Sequence, residues 1–130
     1  MSTKQVLIID DEAAIVEVVQ SCLEDVAGWH VVTATSSQDG LIKASNYLPD
    51  AIVLDLLMPD MSGVELLRRL KASPTTREIP VVLLTIAVDF FDSSYLSALE
   101  PAGIIAKPFD PTTLAQEIAT LLHWTVETQE

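Results

Sequence analysis

The run Asp50-Ala-Ile-Val-Leu-Asp55-Leu-Leu-Met-Pro-Asp60-Met-Ser-Gly63 constrains this chain more than any other stretch. A short apolar segment bounded by turn residues reads as a strand buried on both faces, of the kind found in parallel sheets covered by helices. An ionised Asp55 ending that strand forgoes solvation worth several kcal/mol unless partners or a metal compensate. Two explanations compete. Either the strand surfaces there and Asp55 caps the next turn, or the carboxylate has a chemical role.

Four more runs share the pattern. Residues 6–9 are wholly apolar and end at Asp10-Asp11-Glu12. Residues 31–35 form a weaker, more polar strand. Residues 80–84 run into Thr85, and residues 103–106 lead into Lys107-Pro108-Phe109. Helical periodicity fills the gaps. Ile15, Val18, Val19, Cys22, Leu23 and Val26 predict one buried stripe, stopped by Gly28. Ser36 or Ser37 is placed to cap a helix carrying Leu41, Ala44 and Leu48, which Pro49 closes. Val64, Leu67 and Leu70 continue a helix to Lys71, broken at Ser73-Pro74. Phe91, Tyr95 and Leu99 predict a helix over 89–100. Asp110-Pro111 opens the last helix, with Pro in its first turn and Leu114, Ile118, Leu121 and Leu122 in the core. Five strands alternating with five helices imply an α/β fold, a doubly wound five-stranded parallel sheet with helices on both faces. The expected boundaries are one domain over 4–124 and a polar tail over 125–130 that frays.

Composition narrows the function classes. At 130 residues with 49% apolar content, the chain suits a sheet covered on both sides. The lone Cys22 cannot form an internal disulfide, and no apolar run approaches the ~20 residues of a membrane span. The start leads directly into a strand pattern rather than a signal peptide. The expectation is a soluble, cytoplasmic protein with no membrane contact. A formal charge of −12 with seven Lys and Arg argues against direct nucleic-acid binding. Arg68, Arg69 and Lys71 are the only basic cluster, and they fall late in a helix where cations complement its dipole.

In a doubly wound sheet, ligands bind beyond the carboxyl ends of the strands. Asp10 and Asp11, Asp55, Thr85 and Lys107 all fall there. Singly, each has a plainer explanation: a helix cap, an ordinary strand residue, a surface lysine before a proline. Chance placement accounts for one of them, not the set. Clustered carboxylates repel, and oxygen-only ligands favour Mg²⁺, which keeps sites open for water or phosphate. A lysine and a threonine across the pocket can neutralise and hydrogen-bond phosphoryl oxygens. A remaining carboxylate can act as nucleophile, giving an aspartyl phosphate.

The motifs Ile-Ile-Asp10-Asp11-Glu12, Asp55-Leu-Leu-Met58-Pro59-Asp60-Met-Ser-Gly63, Leu-Leu-Thr85 and Lys107-Pro108-Phe109 resemble the receiver domain of bacterial two-component response regulators. The separations, 44 residues from Asp11 to Asp55, 30 on to Thr85 and 22 on to Lys107, match that family as well. The resemblance implies the flavodoxin-like strand order 2-1-3-4-5. It implies that Asp55 accepts phosphate from a histidine kinase or phosphotransfer protein. Asp11, Asp55 and the backbone carbonyl of Leu57 would bind Mg²⁺, with Asp10 acting through water. Lys107 would pair with the phosphoryl group, Thr85 would move to hydrogen-bond it, and the Lys107-Pro108 bond would be cis. The domain would be a phosphoacceptor in signalling rather than an enzyme with turnover. The expectation is a single-domain form without an attached effector, whose output would be a contact with a downstream protein, homodimerisation included.

Four positions depart from the family pattern. Ile104 stands where an aromatic residue usually lies, three before the lysine. Ile86 replaces a small residue after the threonine. Leu57 and Ala87 occupy two positions that are often polar. Other readings fit less well. A pseudo-receiver using only the fold would not need the intact acids, Thr85 and Lys107. A Mg²⁺-dependent phosphatase commonly wants Asp-x-Asp after the first strand, which Asp10-Asp11-Glu12 does not supply. A nucleotide or flavin protein would want a glycine-rich phosphate loop there, and the acidic end would repel phosphate.

Overall fold

The structure, a computed structural model, describes residues 4–86 and 98–124. Five strands, β1 (Gln5–Ile9), β2 (His30–Ala34), β3 (Ala51–Leu54), β4 (Val81–Thr85) and β5 (Gly103–Ala106), form one sheet. Its order is β2-β1-β3-β4-β5 and every pairing is parallel, as expected. The described helices are α1 (Ala13–Ser21), α2 (Ser37–Tyr47), α3 (Gly63–Ala72) and α4 (Leu114–Leu122). The helix expected over 89–100 falls almost wholly outside the described residues, as does the tail over 125–130.

Alternation along the strands sorts the core into two layers. Val6, Ile8, Val53, Val82 and Leu84 face α1 and α4, meeting Val16, Val19, Leu23, Leu114 and Ile118. Leu7, Ile9, Ile52, Leu54, Val81 and Leu83 face α2 and α3, meeting Ala44, Val64, Leu66, Leu67 and Leu70. All four apolar residues of β1 are buried. Each such side chain contributes about 1.5–3 kcal/mol relative to exposure. At the far end of the sheet from the acidic residues, Trp29 and Trp124 meet edge to face at 5.2 Å, with Lys4 Nζ 5.0 Å from the Trp124 ring centre.

The helices depart from expectation in four details. Val18 is exposed and Val16 takes its place in the buried stripe of α1. The end of that helix widens into a π-helical turn over Cys22–Val26, which still buries Cys22 and Leu23. Gly28, at φ 71°, supplies the left-handed step that follows. Leu48 is exposed, because it forms the left-handed end of α2 instead of its last core turn. Asp110 and Pro111 precede α4 in a separate turn: the Asp110 carboxylate accepts from the Thr112 amide and hydroxyl, and the helix starts at Leu114.

Candidate functional site

The sheet's hydrogen bonding continues one residue past the strands, and those residues carry the chemistry. The Asp10 amide donates to Ala34 O at 3.1 Å, the Asp55 amide to Ile9 O at 3.0 Å and the Lys107 amide to Thr85 O at 3.1 Å. Backbones fixed in this way leave only side-chain torsions free, which is how a parallel sheet presents distant residues at one edge. Asp10, Asp55 and Thr85 are all buried, and Asp11 is exposed.

Lys107 spans the cluster. Its ammonium lies 2.7 Å from Asp10 Oδ2 and 3.2 Å from Asp55 Oδ2, with Glu12 Oε1 at 3.7 Å. The other oxygens of the two buried acids take backbone donors: Asp10 Oδ1 accepts from the Glu12 amide at 3.0 Å, and Asp55 Oδ1 from the Leu57 amide at 3.1 Å. Burial pushes the Asp10 carboxyl above its ordinary value, further than the Lys107 hydrogen bond and the Glu12 amide pull it down. Burial also works against the Lys107 ammonium. The hydrogen bond and charge of Asp10, with the charge of Asp55, outweigh it and hold the ammonium above its ordinary value.

The loop after β3 is shaped to keep Asp55 at this edge. Leu56 is buried, and Gly63 returns to donate its amide to Leu56 O at 2.9 Å. A Cβ at Gly63 would run into the Asp55 carbonyl oxygen and the Leu56 Cα, both backbone atoms that cannot step aside. Only glycine fits. Leu57 and Ile86 stand exposed beside the acids, forming an apolar rim, and Ile104 on β5 is exposed too. Ala87 lies outside the described residues. The Lys107-Pro108 bond is cis.

Asp10, Asp11 and Asp55 each present a carboxylate oxygen within 4.8 Å of the others. Among the described residues Asp11 has no hydrogen bond or ion pair of its own. Three carboxylates against one ammonium leave a local deficit of positive charge that a divalent ion removes, and hard oxygen donors suit Mg²⁺. The donor set therefore fits that ion. Two residues that sequence reasoning gave no role also belong here. Glu12 adds a further carboxylate near Lys107, signalled only by its place after the acid pair. Asp60 reaches across to α2, a contact between residues 23 apart that no local pattern announces.

Residues 6–119 match the family described as the response regulator receiver domain. The chain is 35% identical over 127 residues to the phosphate regulon transcriptional regulatory protein PhoB of Pseudomonas aeruginosa, covering 96% of this chain and 54% of that protein. It is 32% identical over 120 residues to the alkaline phosphatase synthesis transcriptional regulatory protein PhoP of Bacillus subtilis, covering 92% and 49%. The chain thus spans about half the length of these curated relatives. The structure superposes on the chemotaxis response regulator CheY4 of Vibrio cholerae with a TM-score of 0.84, at 29% identity, covering 92% of this chain and 99% of that one.

Proposed function

The chain belongs to the response-regulator receiver family of two-component signalling, and on that premise we propose that Asp55 is its phosphoacceptor and that Asp10, Asp11, Thr85, Lys107 and the Leu57 backbone carbonyl complete the site. The observation that carries this reading is the pairing of Lys107 with both buried acids while Asp55 stays anchored to the Leu57 amide. That amide ties down Oδ1 and leaves Oδ2 facing Lys107, placed to attack phosphorus. In the transfer, an Oδ2–P bond forms as the N–P bond of a phosphohistidine breaks, and the bonding pair stays with the departing imidazole nitrogen. The product is an acyl phosphate on Asp55.

The chain's own groups supply orientation and charge. Lys107 gives up its contact with Asp55 Oδ2 to meet a phosphoryl oxygen, and its bond to Asp10 keeps it aimed at the pocket. Thr85, at the end of β4, presents its hydroxyl to a second oxygen. Asp10, Asp11, Asp55 and the Leu57 carbonyl would hold Mg²⁺, which when bound spreads the charge of the transferring group. The domain, which we place at residues 4–124, is a signalling module and accepts phosphate once per cycle.

The partners follow from this chemistry: a histidine kinase or phosphotransfer protein upstream, and a protein contact downstream, homodimerisation included. The charge of −12 supports an output through protein rather than through nucleic acid touched by this chain itself. No helix among the described residues is long and apolar enough to cross a membrane, in keeping with the cytoplasmic placement we propose. Treatment with acetyl phosphate and Mg²⁺, followed by intact-mass analysis, tests the assignment. Wild type gains one phosphoryl group and Asp55→Asn gains none; an undiminished phosphorylated mass in the variant refutes it.

A further inference from the structure

The loop that carries Asp55 into α3 is fastened to a helix that comes before it in the chain. Asp60 aims its carboxylate at the first turn of α2. Oδ1 accepts from the Ser37 amide at 3.1 Å and Oδ2 from the Gln38 amide at 3.0 Å. The bond is returned: the Ser37 hydroxyl, fully buried, donates to Met61 O at 2.7 Å. Meanwhile α2 has its own cap, since Ser36 Oγ accepts from the Asp39 amide at 3.1 Å. The first three amides of the helix are therefore all satisfied, two of them by the loop. Hydrogen bonds from Gln38 and Ser37 hold the Asp60 carboxyl below its ordinary value, so it meets the positive end of α2 as an anion.

Ser36 alone would give α2 an ordinary cap. What the Asp60 contacts add is a fixed place for the loop. Its far end is set where Gly63 packs on the backbone of Asp55 and Leu56. Between Leu56, held by Gly63, and Asp60, held by α2, Met58 and Pro59 have no hydrogen bond of their own among the described residues, and Leu57 has its amide on Asp55 Oδ1. The position of the Leu57 backbone thus depends on where Asp60 is held.

We propose that Asp60 is a positioning residue for phosphoryl transfer: clamped onto the first turn of α2, it sets where the Leu57 backbone stands against Asp55. This inference rests on the reading of Asp55 as phosphoacceptor, and it makes α2, which contributes no group to the pocket, part of the support for the site.

Three variants of the full chain test it: Asp60→Ala, Asp60→Asn, and Ser36→Ala, which loosens the same helix end without touching the loop. The readouts are amide exchange at Leu57 in metal-free protein, Mg²⁺ affinity by calorimetry, and the initial rate of phosphoryl uptake from acetyl phosphate. Asp60→Ala is expected to speed Leu57 exchange and to weaken Mg²⁺ binding roughly tenfold, the scale of losing support behind a metal ligand. Phosphoryl uptake should slow by about tenfold or more, the scale of a small misplacement of reacting groups. Asp60→Asn, which keeps one acceptor oxygen, falls between, and carries the test on the same readouts if Asp60→Ala does not fold. Ser36→Ala lowers the melting temperature and leaves all three readouts at wild-type levels. Wild-type readouts in both Asp60 variants overturn the proposal. Equal losses in Ser36→Ala overturn it as well, because Asp60 would then be a helix cap and nothing more. A wild-type chain that takes up neither Mg²⁺ nor phosphate overturns the phosphoacceptor reading itself, and the proposal with it.

Discussion

Replacing Lys107 with methionine keeps most of the unbranched side chain and removes its charge. The ammonium, with only 8% of its side chain exposed, is 2.7 Å from Asp10 and 3.2 Å from Asp55, whose side chains are 4% and 5% exposed. Removing one partner from a buried ionic cluster costs about 3–5 kcal/mol, because the remaining charges lose their compensation. For a chain of 130 residues, an unfolding entropy of about 2.1 cal/mol/K per residue makes each degree worth about 0.27 kcal/mol. Metal-free Lys107→Met is therefore expected to melt about 11–18 °C below wild type. Mg²⁺ should restore part of the loss. At ten times its Kd it gives about 1.4 kcal/mol, or about 5 °C, to wild type. It should give more to the variant, where no ammonium competes for Asp10 and Asp55. The deficit also depends on pH. Asp10, already raised by burial, favours the folded state below the ordinary carboxylate range and loses that contribution as pH rises through its raised value. Without Lys107 it rises further, so the variant's deficit is full at neutral pH and closes as pH falls toward that range. Calorimetric melting at several pH values, with and without Mg²⁺, reads all of this. A metal-free variant melting within about 2 °C of wild type at neutral pH would show that Lys107 does not hold the acids together.

Two further outcomes are expected. Gly63→Ala drives a methyl into the Asp55 carbonyl and the Leu56 Cα, so its urea midpoint should fall by the equivalent of about 1–3 kcal/mol; an unchanged midpoint would refute the close packing described. The phosphorylated form should be long-lived, because Leu57 offers no polar group to align a hydrolytic water and Ala87, outside the described residues, offers none by its composition. Decay of phosphorylated protein in Mg²⁺ buffer should quicken by about tenfold, roughly 1.4 kcal/mol of barrier, in Leu57→Asn, Ala87→Glu, and equal decay in wild type and double variant would remove the apolar rim as the cause.

The sheet was legible because each strand announces itself as an apolar run that stops at a polar residue. Asp10, Asp55, Thr85 and Lys107 stand at strand ends for the same reason that the runs stop, so reading the strands also located the pocket. The helices were read less well. In α1 the periodicity admits either Val16 or Val18, and only the packing of the helix on the sheet, which buries Val16 and leaves Val18 exposed, decides between them. Asp110-Pro111 carries a helix-start pattern, yet the Asp110 carboxylate closes a turn on Thr112 and delays α4. Asp60 escaped because its partners, the amides of Ser37 and Gln38, become neighbours only once β3 lies beside β1. Contacts of that kind are made by the fold and leave no local trace.

The division of the core by strand parity has a consequence for how such a chain can change over time. Val6 and Leu7 are consecutive, yet one packs against α1 and α4 and the other against α2 and α3. Substitutions on opposite faces of the sheet share few partners, so their costs should add instead of compounding. One helix layer can be reworked for a new binding partner while the other holds the strands in register. The acids and Lys107 sit beyond the strand ends, where the two layers meet, and depend on both for their backbone positions while belonging to neither core. A lineage of such domains can therefore diversify one surface at a time around an unchanged reaction.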